Sequence, residues 1–145
     1  MNIDCRIVDG CRGGLTFDFI PLNHADDEHS RDNPDAFSTS EDAYFLIEKA
    51  IAAVIPDWLP YRHWGQSCLS RSDWEAVFAN LAEIRNDLAK RLRRRLFVQK
   101  HLLFPQFLLS NRKLDHHAIA VFLDQFEQRV RHVLQTYPYL MIWGV

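Results

Sequence analysis

Seven histidines and three cysteines are the residues in this chain with the chemistry to hold a metal or to act as nucleophile and base. Their spacing does not gather them. His116 and His117 are adjacent, so on a helix they point about 100° apart and cannot chelate one ion together. There is no HExxH, and no cysteine lies within four residues of a histidine, so the sequence predicts neither a metal nor a cofactor site. Ser40, Ser67, Ser70 and Ser72 stand where caps and turns want hydroxyls, and none sits in a G-x-S-x-G elbow. Cys68, five residues after His63 and just ahead of a helix, is the cysteine with the best opportunity for a depressed pKa. Gly10 and Gly13-Gly14 fall in a turn between strand patterns, not at a strand-to-helix crossing, so no phosphate cradle is built there.

The charged residues carry more information. The net charge is only −2, but residues 1–60 hold 12 Asp/Glu against 4 Lys/Arg, whereas residues 61–145 hold 7 against 13. Arg85, Lys90, Arg91, Arg93, Arg94, Arg95 and Lys100 lie within sixteen residues, opposed only by Asp87. On a continuous helix Arg91 and Arg95 would be neighbours, as would Lys90 and Arg94, giving a wide cationic surface at a helix C-terminus. Three readings stay open: a solvated face that complements the helix dipole, a dock for phosphates or an acidic partner, or a patch covered by the acidic segment around residues 26–42.

The elements that must position these groups are legible from periodicity. Ile3, Cys5 and Ile7 alternate with Asp4 and Arg6, and Leu15, Phe17 and Phe19 alternate with Thr16 and Asp18. With Asp9-Gly10 and Gly13-Gly14 between them, this predicts an N-terminal β-hairpin with its carboxylates outward. Residues 22–37 have no apolar period, hold five carboxylates and read as a polar loop. Ser38 with Glu41 has capping-box spacing and announces a first helix along Ala43, Leu46, Ile47, Ala50, Ile51 and Val54, ended by Pro56. An aromatic-rich connection, residues 56–69, follows. Ser70 or Ser72 opens a second helix along Trp74, Val77, Phe78, Leu81, Ile84, Leu88 and Leu92. A third runs from about Asp115 to Tyr137 along Ile119, Phe122, Leu123, Phe126, Val130, Val133 and Leu134, stopped by Pro138. The apolar tail 139–143 is expected to pack, as a strand beside the hairpin.

The fold class so predicted is α+β and mostly helical, a hairpin packed on three to four helices in one domain over residues 1–145. At 48% apolar and 25% charged the composition is that of a globular chain. No window of about 18 apolar residues escapes charge, and no leader pattern opens the chain, so the expected compartment is the cytoplasm and no membrane partner is expected.

Without a catalytic constellation, the first functional expectation is a non-catalytic domain that binds a protein. In style the chain resembles compact bacterial immunity proteins, whose acidic face neutralises a basic toxin nuclease. That resemblance implies that Asp26, Asp27, Glu28, Asp32 and Asp35 steer a basic partner and that Trp58, Tyr61 or Trp64 anchors it. A second expectation is RNA or DNA binding through Lys90, Arg91, Arg93, Arg94 and Arg95. Helical ribonucleases of the HEPN class place an Arg, a polar residue and a later His on one helix. Arg95 with His101 has that spacing, but Leu96 stands at the polar position, and Arg85-Asn86 leads to Arg91 where a His is wanted. The partial resemblance implies His101 as acid–base group. A third expectation is a self-assembling subunit that uses the apolar segment 102–109.

Overall fold

The computed structural model describes residues 3–12, 16–27, 32–56, 65–103 and 113–144. The elements run β1 (Ile7–Asp9), β2 (Thr16–Leu22), β3 (Phe37–Ser40), α1 (Glu41–Ala52), β4 (Gly65–Ser70), α2 (Arg71–Ala89), α3 (Arg94–His101), α4 (His116–Thr136) and β5 (Tyr139–Gly144). The fold is α+β and mostly helical, with strands at the N-terminal side, as expected from the sequence.

The five strands form one antiparallel sheet in the order β1-β3-β2-β5-β4. The expected hairpin is therefore replaced by a different pairing. β3 lies between β1 and β2 and bonds to both, with Ile7 opposite Thr39 and Phe17 opposite the same Thr39. The cause is β3's own alternation. Phe37 faces the core and stacks on Phe19 at 4.8 Å between ring centroids, a contact that Ile7 or Cys5 could not supply. The segment after β2 is thus a return connection, not only a polar loop. The tail does form a strand, and it lies beside β2: Phe17 pairs with Gly144 and Leu22 with Tyr139. Pro21, which has no N–H to give, falls past the end of the β2–β3 pairing, where the strand has β5 as its paired neighbour.

Strand periodicity sorts β2 onto two faces. Phe17 and Phe19 join Phe37, Leu69, Leu140 and Ile142 in the main core under the helices. Ile20, Leu22 and Met141 form a smaller cluster on the other face with Ala36. Asp18, expected outward, is fully buried on that second face; its Oδ1 accepts from the Arg12 amide and the Thr16 hydroxyl. Thr39 points the other way and is only 2% exposed, and its hydroxyl has no hydrogen-bond partner among the described residues. Thr39→Val keeps the shape and removes a desolvated polar atom, so it is expected to raise stability by about 1 kcal/mol in urea unfolding. A loss of that size would show that the hydroxyl is satisfied.

Ser40, two residues later than the expected cap, is the N-cap of α1; its Oγ accepts from the Ala43 amide at 3.1 Å and donates to the Asp4 carbonyl at 2.7 Å. Ser38 is instead part of β3. Ser70 caps α2 in a full capping box with Asp73, as its spacing predicts. Asp115 caps α4 through the Ala118 amide. α2 and α4 are pinned end to end where Arg71 Nε donates to the Leu134 carbonyl at 2.7 Å and Arg131 bridges Glu75 and Glu127. Among the described residues no helix is long and apolar enough to cross a membrane.

Candidate functional site

The long second helix read from the sequence is two helices. α2 ends at Ala89, and the chain turns through Lys90–Arg93 before α3 begins at Arg94. The ending is a Schellman motif: the Arg91 amide donates to the Leu88 carbonyl and the Leu92 amide to the Asp87 carbonyl. Arg91 occupies the left-handed position of that motif at φ 53°, where glycine is the preferred residue. Arg91→Gly is therefore expected to stabilise the fold by about 1 kcal/mol, since L-residues pay roughly that much in this region. Urea unfolding checks it, and a destabilised variant would mean that the side chain holds the turn together.

The break rearranges the cations. Arg91 and Arg95 no longer share a helix face, nor do Lys90 and Arg94. Lys90 and Arg91 remain at the C-terminus of α2, where a cation complements the dipole. Arg93, Arg94 and Arg95 instead crowd the N-terminus of α3, whose first turn has no acidic residue and whose N-cap, Arg93, makes no side-chain cap bond. At that end a positive charge is unfavourable. Lys90, Arg91, Arg93 and Arg95 are exposed and Arg94 is half-buried.

What fixes the turn lies beneath it. Asp87 on α2 and His101 at the end of α3 are both buried, and His101 Nε2 and Asp87 Oδ2 are 2.6 Å apart. Lys100 Nζ reaches the same carboxylate oxygen at 2.8 Å and Glu83 at 3.2 Å. Its hydrogen bond, followed by that of His101, holds the Asp87 carboxyl below the usual carboxylate range. Lys49 Nζ donates to the Lys100 carbonyl, tying α1 to α3 beside a cleft of about 130 Å³. His101 and Arg95 are six apart on α3, which places them about 120° apart around its axis. One is buried against Asp87 and the other exposed, so the two groups of the ribonuclease-like pattern are not brought to one face.

On the α4 side, His116 Nε2 meets the Leu92 carbonyl at 3.1 Å, joining the first turn of α4 to the α2–α3 turn. Between them runs a groove of about 320 Å³ floored by Leu88, Ala89 and Ala120 and edged by Arg91, His116 and His117. Arg85, at its end, is already bonded to Asp124 and Glu127.

Asp26 and Asp32 are exposed, while Asp27 and Asp35 are half-buried in local turns: Asp27 accepts from the His24 amide, and the Asp35 amide donates to Asn33. Glu28, Trp58, Tyr61 and Trp64 lie outside the described residues, as does most of the segment 102–109. Among the described residues no ion pair joins Asp26, Asp27 or Asp35 to Lys90, Arg91, Arg93 or Arg95.

Cys5, Cys11 and Cys68 are half-buried, and among the described residues none of them forms a disulfide. Burial pushes the Cys5 thiol up to about 11, with Asp4, Asp115 and Asp42 adding to it. Cys68 lies on β4 and is raised by burial and by Asp73, so it is not the activated thiolate its position before α2 allowed. Among the described residues no three of His, Cys, Asp and Glu are grouped to hold a metal ion. The α2–α3 turn left no mark in the sequence, since Lys90, Arg91, Leu92 and Arg93 are all good helix formers with no Gly or Pro among them.

The fold class and the site together describe an antiparallel sheet with helices packed on one of its faces and a run of exposed cations at a helix break. Comparison with family models, curated proteins and solved structures finds no match to this chain.

Proposed function

We propose that this chain is a non-catalytic module that docks a protein partner, with the acidic surface around Asp26, Asp27, Asp32 and Asp35 steering a basic one. The observation that supports the reading is that, among the described residues, none of Asp26, Asp27 and Asp35 forms an ion pair with Lys90, Arg91, Arg93 or Arg95. Charges that neutralised each other inside the monomer would have no claim on another molecule. A bacterial immunity protein that blocks a basic toxin nuclease is one form this module would take, working inside the cell that makes it. The test is co-expression with the product of the neighbouring gene and kinetic analysis of the complex. Reversing Asp26, Asp27, Asp32 and Asp35 to Lys is expected to slow association by about tenfold or more at low salt, because exposed charges act chiefly on encounter. Unchanged association would remove the reading.

A second reading, binding of RNA or DNA, is favoured by the three arginines at the N-terminus of α3. It requires steeply salt-dependent binding to an oligonucleotide that is weakened by Arg91→Glu with Arg94→Glu.

A further inference from the structure

We propose that the outer edge of β1, with the face of α4 beside it, is a docking groove for an uncharged, extended segment of a protein partner, which joins the sheet as a further strand. The site is separate from the acidic surface proposed above and does not depend on it.

Two cavities make the groove. One, of about 440 Å³, lies between residues 3–6 and the first half of α4, where Ala118, Val121, Phe122 and Gln125 line it. The other, of about 370 Å³, lies between Ile7 and Gln125, Gln128, Arg129 and His132. Gln125 belongs to both, so the two follow one another along a single stripe of the helix. On the strand side, Ile3, Cys5 and Ile7 pack on the main core while Asp4 and Arg6 are exposed, the alternation of an extended chain. A cavity lined by both sets runs along the backbone edge between them.

That edge has hydrogen bonds to give. The Gly10 amide donates to the Ala36 carbonyl, and in an antiparallel ladder the bonded positions alternate. In the observed register Val8 therefore bonds inward to Ser38 on β3, and the N–H and C=O of Ile7 and Asp9 point outward. Among the described residues β1 is the last strand on that side of the sheet.

Charge selects the occupant. Val121, Gln125, Gln128 and His132 are exposed on one face of α4 and include no Asp, Glu, Lys or Arg. The helix keeps its charged side chains elsewhere: Asp124, Glu127 and Arg131 bridge to α2, and Arg129 holds Asp9 at 2.7 Å. Asp4 and Arg6 hold one another at 2.9 Å, and Lys113 and Asp115 at the groove's end are of opposite sign. A polyanion or a charged peptide would lose hydration against this wall without gaining a counter-ion. A neutral segment suits it, the backbone continuing the ladder and alternate β-branched side chains resting on Val121, which is 38% exposed, and Phe122.

The test is an NMR titration of the full, isotope-labelled chain with two capped peptides. One alternates Val and Thr over about seven residues, enough to follow the roughly 20 Å of α4 from Ala118 to His132. The other is the same peptide with alternate amides N-methylated. The first should shift the amides of Ile7 and Asp9 and the side-chain amides of Gln125 and Gln128, with a Kd below about 1 mM. N-methylation should weaken it about tenfold or more, because the ladder bonds are lost. Asp9→Pro, which an edge position tolerates, should do the same, whereas Asp9→Asn, which loses the Arg129 ion pair but keeps the amide, should bind as wild type. Val121→Glu with Gln125→Glu should weaken binding several-fold, with circular dichroism showing that each variant is folded. Reversal of Asp26 and Asp27 to Lys should leave binding unchanged, which separates this groove from the acidic surface. No shift at about 1 mM peptide, equal binding of the N-methylated peptide, indifference to Asp9→Pro, or light scattering that gives twice the chain's mass with the β1 amides already protected by a second copy overturns the proposal.

Discussion

Trp74→Ala should lower unfolding stability by about 4 kcal/mol, the range for removing a buried tryptophan. Trp74 is fully buried, and its ring lies 6.0–6.3 Å from those of Phe19, Phe78 and Phe126, which come from β2, α2 and α4. Its Nε1 donates to the Leu140 carbonyl on β5 at 3.3 Å. One side chain therefore touches the sheet's centre, its own helix and the helix across from it. Alanine would leave a cavity on the axis of the core and strip an indole donor from a carbonyl of β5. Trp74→Phe keeps most of the ring volume and loses the donor, so it should fall between wild type and alanine. Urea unfolding followed by circular dichroism measures both; a loss below about 1 kcal/mol for alanine would mean that the aromatic cluster is not the centre of the fold.

The second large effect is acid sensitivity that runs through Asp87. Its carboxyl is held below the usual range first by Lys100 and then by His101, and Glu127 is also lowered, burial working against it while Arg131 and Arg85 outweigh burial. A group with a depressed folded pKa adds stability that is present above its unfolded pKa, near 4, and is lost as pH falls through the folded value. Between those two values the unfolded chain carries more protons than the folded one. The protein should therefore hold its stability from neutral pH to about 4 and lose it steeply below. Asp87→Asn should already be weaker at pH 7, because His101 and Lys100 lose their carboxylate, and its acid limb should be shallower by up to about one proton. Proton uptake from the pH dependence of urea midpoints checks this, and an acid limb identical in the two proteins would show that Asp87 is not the titrating group.

Much of the helical layer could be read in advance because each helix carries its own signals. Ser70 with Asp73, Asp115 before the α4 stripe, and Pro138 behind it are local chemistry, and local chemistry survives folding. Sheet pairing is not local. Nothing within residues 3–19 says that Phe37, returning from a polar stretch, will out-compete Ile7 for the place beside Phe19; only the stacking of two phenylalanines does. β4 was missed for a related reason: Gly65–Ser70 contributes Leu69 to the main core and little else that alternates, and it becomes a strand by pairing with β5. The site shows the same division. The cations of 90–95 were visible as a run, yet their reversal across a helix break depended on a Schellman turn with arginine where glycine is usual. The Asp87–His101 pair, fourteen residues apart, was joined by that turn and not by any spacing in the sequence. The acidic residues could be named by type, but which of them are exposed is a matter of placement.

The pairing of β2 with β5 bears on how the protein is made. Phe17 meets Gly144 and Leu22 meets Tyr139, so the strand beside β3 waits for a partner more than a hundred positions further along the chain. During synthesis the first three strands and α1 would be on hand with one side of β2 still open. Closing so long a loop is entropically slow, and an unpaired edge invites wrong company in the interval. Refolding should accordingly run in the slow, millisecond-to-second regime of proteins ruled by distant contacts, and a ribosome-bound chain should become protease-resistant only after residues 139–144 have cleared the exit tunnel.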